Sequence, residues 1–370
     1  MSDNKLLYRI GLTQIKGVGR TLGRHLVNIV GDEEGVFREK NQLLRKISGI
    51  GSQIIHEIKN PEVLKRAEKE VEFVKKNKIQ TFFFTEPDYP FRLKECIDAP
   101  ILLYYKGNAD LNVSKTISMV GTRNASSYGK DFCDKFISDA GNKYPDALII
   151  SGLAYGIDIQ SHRAALSNGL KTVAVLAHGL DRIYPYEHRK TAAEITVQGG
   201  LLTEYPSETQ PDKFNFVTRN SIIAGLGDAT IVVESATKGG SLITAEVANA
   251  YDRDVFAVPG RISDTSFKGC LNLIKSNKAC LLESLADMEE CLGWNQKING
   301  KKIAVQQHLE FLDLTDEQNA IITALSNDEI HVNRLAVKTD IPVHRLSFIL
   351  LELEFKNLIK PLPGGLYKRK

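Results

Sequence analysis

The stretch that decides the fold runs ALIISGLAYGIDIQSHRAALSN from Ala147 to Asn168. Its first four residues are continuously apolar, which is typical of a strand buried on both faces of a parallel sheet. A glycine-containing turn, Ser151–Asp158, follows, and the apolar spacing after Ile157 predicts a helix. The turn has the spacing GxxxGxD and lacks the GxGxxG fingerprint of dinucleotide-binding proteins. This strand–turn–helix unit therefore indicates a Rossmann-like sheet without a dinucleotide site.

The same alternation of strand and helix patterns continues on both sides of this unit. Apolar runs predict strands at Thr116–Val120, Ala147–Ile150, Thr172–Leu176, Gly200–Thr203, Ala229–Val233 and Asp254–Val258. Helical patterns lie between and after them at Gly129–Lys143, Ile157–Asn168, Glu187–Gln198, Arg219–Gly225, Ser241–Arg253 and Phe267–Asn277. The sequence thus predicts an α/β domain over residues 79–294, with an extended, doubly wound and mostly parallel sheet. In such sheets ligands bind beyond the carboxyl ends of the strands.

Residues 1–78 are predicted to form a separate helical domain. Two matching turns, Ile15–Gly19 and Ile47–Gly51, each open onto a helical pattern. Their glycines permit positive φ and leave backbone N–H groups open at a helix start, where a phosphate can dock. The pair resembles a helix-hairpin-helix, or SAM-like, arrangement. Two interpretations stay open, a phosphate-binding pair or tight turns between packed helices.

The C-terminal part is predicted to be a winged-helix-like domain at residues 313–370, preceded by a polar linker at 295–312. Helices are expected near Glu317–Leu325, Val332–Thr339 and Val343–Asn357, and a hairpin-like segment follows. In DNA-reading winged helices the third helix enters the major groove. Here that helix is mostly apolar, which favours a protein-contact or accessory role over base readout.

Composition restricts the class of protein and its compartment. The chain has 370 residues and a formal net charge of +3, which neither requires nor excludes nucleic acid, so a binder must concentrate its basic residues locally. No apolar run is long enough to span a membrane, and the N-terminal segment does not have the pattern of a signal peptide. The five cysteines form no CxxC pair and no cysteine–histidine cluster with metal-ligand spacing. We expect a cytoplasmic protein with no metal, cofactor or membrane contact.

Four loops after predicted strands combine glycine or a helix start with polar groups suited to phosphate. Glycine lets backbone approach a ligand, and an arginine fork matches a phosphate. A single such arginine is more often part of a surface ion pair, but three of the four loops carry a cation and all should meet at one sheet edge. The sequence therefore predicts a site that binds the backbone of a nucleic acid. The candidate residues are Gly121 and Arg123; Ser151, Gly152, Ala154 and Gly156; Phe216, Arg219 and Asn220, expected at a helix start; and Lys238, Gly239, Gly240 and Ser241.

A series of motifs occurs in order at Gly121–Ser126, Ser151–Asp158 with His162, Phe216–Ile223, Gly240–Ala245, Val255–Gly260 and Gly269–Ile274. On these motifs, and over almost its whole length, the chain resembles the DNA-processing protein DprA family, also called Smf. The resemblance implies a dimeric protein that binds single-stranded DNA, protects incoming strands in transformable bacteria and helps to load the RecA recombinase. It implies no catalysis.

Carried over to this sequence, the resemblance also implies roles for single residues. The basic side chains Arg123, Arg219 and Lys238 would grip phosphates, and Phe216 would stack on a base or wall the pocket. Donors from loop backbone or hydroxyl would come from Ser151, Gly152, Gly240 and Ser241. The family commonly has proline and a further arginine where this chain has Val217 and Ser221. The phosphate-binding site is therefore expected to be less basic than in the family.

Two alternatives compete with DNA binding. Residues Gly239–Glu246 are similar to the PGGxGTxxE motif of nucleotide phosphoribohydrolases, but Leu242 replaces the third glycine and Glu246 is out of register with the catalytic carboxylate. Asp158 and His162 lie four residues apart on one helix, which favours mutual capping or packing over acid–base chemistry. A scaffold for partner proteins is the other alternative, and it leaves the three cations unexplained.

Overall fold

The computed structural model describes residues 3–295, 314–325, 330–356, 358–362 and 365–369. They belong to two compact units, residues 1–295 and 296–370. The predicted linker lies outside the described residues except for Asn295. Within the described ranges, no helix is both long and apolar enough to cross a membrane. The five cysteines are all free.

The described residues begin with six helices, and the helical character of this segment is as the sequence predicts. Gly17 and Gly49 adopt φ angles of +83° and +85°, and the next glycines, Gly19 and Gly51, cap α2 and α5. The first turn lies against the helix of the second, because Gly17 faces Ile54. These helices are α1 (Asp3–Gln14), α2 (Arg20–Val30), α3 (Glu33–Arg38), α4 (Asn41–Leu44), α5 (Ser52–Ile58) and α6 (Pro61–Lys76).

A sheet of nine described strands follows in the order β1-β2-β6-β5-β4-β3-β7-β8-β9. The strands from β3 to β9 pair in parallel with one another, whereas β2 pairs antiparallel with both β1 and β6 at one edge of the sheet. The six predicted strands, β3 to β8, are confirmed to within one residue, whereas β1, β2 and β9 were not predicted. The strands are β1 (Gln80–Phe83), β2 (Leu102–Gly107), β3 (Thr116–Val120), β4 (Leu148–Ser151), β5 (Lys171–Val175), β6 (Gly199–Thr203), β7 (Ala229–Val232), β8 (Asp254–Ala257) and β9 (Cys280–Leu281).

Helices cover the sheet on both faces and confirm the predicted doubly wound arrangement. One prediction is wrong in its boundary: α11 begins at Lys213, where Asp212 accepts a hydrogen bond from Phe214 N, so Arg219 and Asn220 lie in mid-helix. The helices of this part are α7 (Phe91–Lys94), α8 (Ser127–Lys143), α9 (Ile157–Ser167), α10 (Arg189–Val197), α11 (Lys213–Leu226), α12 (Gly240–Ala250), α13 (Lys268–Lys275) and α14 (Leu285–Leu292).

The N-terminal helices and one face of the sheet share a single hydrophobic core. Leu26 of α2 and Ile58 of α5 are buried in the same cluster as Leu103 of β2 and Ile150 of β4. Ion pairs also join the two parts: Arg20 pairs with Glu204 at the end of β6. Residues 1–295 therefore fold as one compact unit, and their division into two domains at residue 78 stays a prediction.

The second unit has the winged-helix arrangement that the sequence predicts. Thr315 and Gln318 form a reciprocal capping box at the start of its first helix. The third helix buries Leu346 and Leu353 but leaves Phe348 64% exposed. The elements are α15 (Asp316–Ala324), β10 (Ile330–His331), α16 (Val332–Thr339), α17 (Val343–Phe355), β11 (Ile359–Leu362) and β12 (Leu366–Arg369), and the three strands form one small sheet.

Candidate nucleic-acid interface

A cavity of about 620 Å³ opens at the carboxyl edge of the large sheet. It lies where strand order reverses, because β3 and β7 are neighbours although three strands separate them in sequence. Such a switch point is where ligands bind in open α/β sheets. Ten of the predicted residues line the cavity: Gly121, Arg123, Ala154, Phe216, Arg219, Asn220, Lys238, Gly239, Gly240 and Ser241.

The loop after β3 is fixed to the neighbouring loops by hydrogen bonds. Ser126 donates from its backbone N and its Oγ to the Glu234 carboxylate, at 2.9 and 2.8 Å. Thr122 N donates to the Glu234 carbonyl oxygen at 2.7 Å, and Ile157 N donates to the Thr122 carbonyl oxygen at 3.1 Å. The buried Glu234 therefore holds the loop that carries Arg123, through its carboxylate Oε2 and its carbonyl oxygen.

Arg123 and Lys238 are the two exposed cations of the cavity that the sequence predicts. Neither forms an ion pair within the described residues. The guanidinium carbon of Arg123 lies 5.7 Å from the centroid of the Phe216 ring. Both cations therefore keep their hydrogen-bond donors available beside an aromatic wall.

Arg219 is placed differently from the other two predicted cations. It is only 4% exposed, and its Nη1 donates to the Val175 carbonyl oxygen at 2.9 Å. Burial lowers the pKa of its guanidinium, against the opposing effect of Asp158. Burial likewise raises the pKa of the Asp158 carboxyl, which Arg219 opposes. Arg219 thus forms part of the cavity floor, and its charge is partly balanced by a buried carboxyl group.

The N-terminus of α12 lies at the cavity. Gly239 is the N-cap in extended conformation, and a Cβ on Gly240 would meet nothing within 4 Å. Ser241 Oγ instead donates to Ser235 Oγ at 2.9 Å in the interior. Open backbone N–H groups and the helix dipole favour an anion there, next to Lys238.

Three predicted residues do not line the cavity but shape it. Ser151 is fully buried, and its Oγ donates to the Met119 carbonyl oxygen at 2.7 Å, so its hydroxyl is not directed to a ligand. A Cβ on Gly152 would lie 1.4 Å from Arg219 Nη1. Gly156 has a φ of +74°, and a Cβ there would lie 2.1 Å from the Thr122 carbonyl oxygen. Both glycines leave room for neighbouring parts of the protein.

Several cavity residues were not predicted from the sequence. Lys213 is a further exposed cation, at the first position of α11. Asp212, the helix N-cap directly before Lys213, is the sequence signal that could have located the start of α11 there. The remaining ones include Thr122, Val217, Ser235, Ile243 and Thr244.

Ser221, where the family commonly has arginine, faces the N-terminal helices and does not line the cavity. Its Oγ accepts a hydrogen bond from Arg20 Nη1 at 2.7 Å. Arg20 in turn pairs with Glu204. A guanidinium group therefore does lie at this place, but its charge is balanced by a carboxylate.

The groups considered for catalysis are occupied elsewhere. Glu246 is 63% exposed and lies 4.0 Å from Lys278, outside the cavity lining. Asp158 accepts from Gly152 N at 3.2 Å, and His162 Nδ1 bonds Thr172 Oγ1 at 2.7 Å, so the two do not cap each other. Burial lowers the pKa of His162 to about 3. In the part of the chain that the structure describes, no cluster of three or more His, Cys, Asp or Glu could hold a metal ion.

Comparison with known proteins assigns the family. A sequence model of the DNA recombination-mediator protein A family matches residues 80–293. The chain belongs to this family. A model of the DprA winged helix domain matches residues 312–365. The family that the sequence motifs indicated is thereby confirmed.

Full-length relatives and solved structures agree with this assignment. The Smf protein of Synechocystis sp. is 30% identical over 400 residues, which cover all of both chains. DNA processing protein DprA of Streptococcus pneumoniae is 44% identical over 198 residues, or 54% of this chain and 69% of the relative. Its crystal structure superposes with a TM-score of 0.63 at 36% identity, covering 77% of this chain and 97% of that one. A structure of Helicobacter pylori DNA processing protein A, described for its single-stranded DNA binding mode, gives a TM-score of 0.53 at 26% identity, covering 59% and 96%.

Proposed function

We propose that this chain binds single-stranded DNA across the cavity at the β3–β7 switch point. Phosphates bind at Arg123, at Lys238 and at the N-terminus of α12, and a base lies against Phe216. The observation that carries the proposal is that Arg123 and Lys238 are both exposed and unpaired within the described residues, and that they line the same cavity as the open N-terminus of α12. Charged hydrogen bonds to phosphate are the strong contacts in such a site.

The preference for a single strand follows from the aromatic wall. Phe216 lies within stacking reach of a base only if that base leaves a duplex, and aromatic stacking is a general way to hold unpaired bases. The Phe216 ring is flanked by the Arg123 and Arg219 guanidinium carbons, at 5.7 and 5.9 Å from its centroid. The similarity to the H. pylori protein, whose structure concerns single-stranded DNA binding, supports the same ligand here.

The proposed role is binding without catalysis. The phosphoribohydrolase alternative needs a catalytic carboxylate at the cavity, and Glu246 is an exposed residue beside Lys278, outside the lining. Asp158 does line the cavity, but its carboxylate accepts from Gly152 N and interacts with the buried Arg219. The other buried acid–base groups, Glu234 and His162, are hydrogen-bonded inside the protein. Cleavage of nucleoside monophosphates by the wild type, lost in Glu246→Gln, would favour the enzyme instead.

The wider role rests on family membership. We include in the proposal a homodimer in the cytoplasm that protects incoming strands and hands them to the RecA recombinase. Light scattering of the purified chain measures the dimer. Co-sedimentation of RecA with the protein on a single strand measures the hand-over. A monomer at all concentrations, or no effect on RecA, would contradict these parts while leaving DNA binding in place.

An anisotropy titration tests the proposed function. Labelled oligothymidylate and a duplex of equal length are each titrated with the full chain. The single strand should bind at lower protein concentration, with little dependence on base sequence because phosphate contacts carry no sequence information. Equal affinity for both, or no binding, would reject the proposal.

A further inference from the structure

The carboxyl edge of the sheet carries a second exposed feature beside the cavity. Tyr155 follows β4, while Tyr184 and Tyr186 follow β5, and these side chains are 42%, 46% and 66% exposed. We call these three residues the tyrosine row. Large aromatic side chains at this exposure present a π-face to solvent, and aromatic residues beside a binding site mark contact surfaces.

The row is continuous with the cavity. The ring centroids of Tyr184 and Phe216 are 5.9 Å apart. Phe216 is part of the cavity lining, and Tyr184 is not. A ligand that leaves the cavity past Phe216 therefore meets Tyr184 next.

Neighbouring side chains hold the rings of the row. The Tyr155 ring packs edge-on against His188 with centroids 4.9 Å apart, and its hydroxyl donates to Glu187 at 2.9 Å. The guanidinium carbon of Arg189 lies 4.8 Å from the Tyr186 ring centroid, and Arg189 Nη1 donates to the Tyr186 hydroxyl at 2.6 Å. Rings that are already oriented lose less conformational entropy when a base stacks on them.

Charge in this region is mixed, which separates it from the cavity. Arg182 is paired with Asp181 at 2.7 Å, and Glu187 lies beside Tyr155. Arg189 lies over Tyr186 and has no ion pair within the described residues, but the Glu187 carboxylate lies in the same region, so this surface attracts phosphates less strongly than the cavity does. Binding on the row would therefore come mainly from stacking and depend less on salt than binding at Arg123 and Lys238.

We propose that the tyrosine row is a second subsite, on which the bases of the same single strand stack after the strand leaves the cavity. This inference rests on the proposed function. A cavity of about 620 Å³ is of the size that holds a compact ligand, so most of a longer strand must lie outside it. Through Tyr184, the row continues from the aromatic wall that Phe216 provides.

The experiment compares oligothymidylates of two lengths, about four and about sixteen nucleotides, which span the usual site sizes of single-strand binders. The double variant Tyr184→Ala/Tyr186→Ala should bind the short oligonucleotide within about twofold of the wild type but the long one about tenfold or more weakly, the loss expected for one or two stacked bases. The double variant Tyr184→Phe/Tyr186→Phe keeps the rings and should bind both lengths as the wild type does.

A matched control exists at the opposite edge of the sheet. Phe91 is 47% exposed, close to the value for Tyr184, and its neighbour Arg92 bonds to Val113 and Ser114 before β3 begins. Phe91→Ala should change neither affinity. Unchanged affinity of the alanine variant for the long strand would overturn the subsite, and so would an equal loss at both lengths. If the wild type binds neither length, the proposed function itself fails. If the alanine variant lost binding to a protein partner but bound both oligonucleotides as the wild type does, the proposal would also be overturned.

Discussion

Two regions of this protein place glycines at helix starts, and they differ in whether the cations nearby are already paired. At the N-terminal turns, Gly19 and Gly51 cap α2 and α5, and a Cβ at either would meet nothing within 4 Å. At the sheet edge, Gly239 caps α12 and Gly240 is equally open. The backbone at both places could receive a phosphate.

The difference lies in the side chains beside the glycines. Arg20, directly after Gly19, bonds Glu204, the Asp98 carbonyl oxygen and Ser221. Arg123 at the sheet edge has its ring contact with Phe216 and no ion pair in the described residues. An open helix start is therefore not enough to identify a phosphate site; the neighbouring cation must also have unused donors. Phosphate docking at the N-terminal turns stays a prediction.

Charge reversal at the sheet edge should have the largest effect. Charged hydrogen bonds contribute roughly 1.5–3 kcal/mol each, and about 1.4 kcal/mol is tenfold in affinity. Arg123→Glu/Lys238→Glu should therefore weaken binding to a single strand by at least about 100-fold. Anisotropy measures the affinity, and the melting temperature should not change because both side chains are exposed.

The matched control reverses two exposed lysines at the N-terminal turns, Lys16→Glu/Lys46→Glu. Affinity within about twofold of the wild type is expected, since distant exposed charges are screened at physiological salt. A loss as large as that of the sheet-edge variant would mean that the helical turns also grip the strand, and the contrast between the two regions would be lost.

Removing Arg20 should affect stability and not binding. Arg20 and Glu204 are each 13% exposed, so Arg20→Ala leaves a largely buried carboxylate unpaired. A loss of about 3 kcal/mol in the free energy of unfolding is expected. Arg38→Ala is the control, because the ion pair between Arg38 and Glu34 is exposed and should contribute less than about 1 kcal/mol to stability. Denaturant titration measures both, and a wild-type unfolding midpoint for Arg20→Ala would contradict the structural role.

Two glycines of the interface should respond in opposite ways to a methyl group. At Gly152 a Cβ would displace Arg219, so Gly152→Ala should lower stability by roughly 1–3 kcal/mol. At Gly240 a Cβ enters open space, so Gly240→Ala should keep its stability but hinder the approach of a phosphate to the backbone. The methyl group hinders one hydrogen bond to a charged phosphate without removing it, so a loss of about tenfold in affinity is expected, the low end for a charged hydrogen bond. Thermal melting and anisotropy separate these outcomes, and equal stability of the two variants would show that the packing explanation for Gly152 is wrong.

Much of the fold could be predicted from local patterns. Buried parallel strands such as β3 are continuous apolar runs, and the capping box at Thr315 marks a helix start directly. The short antiparallel strands β1 and β2 were missed because Gln80–Phe83 and Leu102–Gly107 lie outside the regular strand–helix alternation. The start of α11 was missed because its first turn projects Phe214, which is 80% exposed, and so shows no apolar helical face.

The sequence predicted which residues belong to the candidate site, but not how deeply each side chain is buried. Sequence spacing placed Arg123, Arg219 and Lys238 at one edge, and all three line the cavity. That Arg219 is buried against Val175 depends on the missing Cβ of Gly152, a contact between distant parts of the chain. Likewise, the bond from Arg20 to Ser221 joins residues 201 positions apart, beyond the reach of any local pattern.

The most direct test of the central claim is the salt dependence of single-strand binding. The slope of log affinity against log salt concentration is negative, and each phosphate contact on a single strand makes it steeper by about 0.7. Arg123→Ala/Lys238→Ala should therefore make the slope shallower by about 1.4 relative to the wild type, since two phosphate contacts are removed. A slope equal to that of the wild type would contradict the account, because Arg123 and Lys238 would then not touch the DNA backbone.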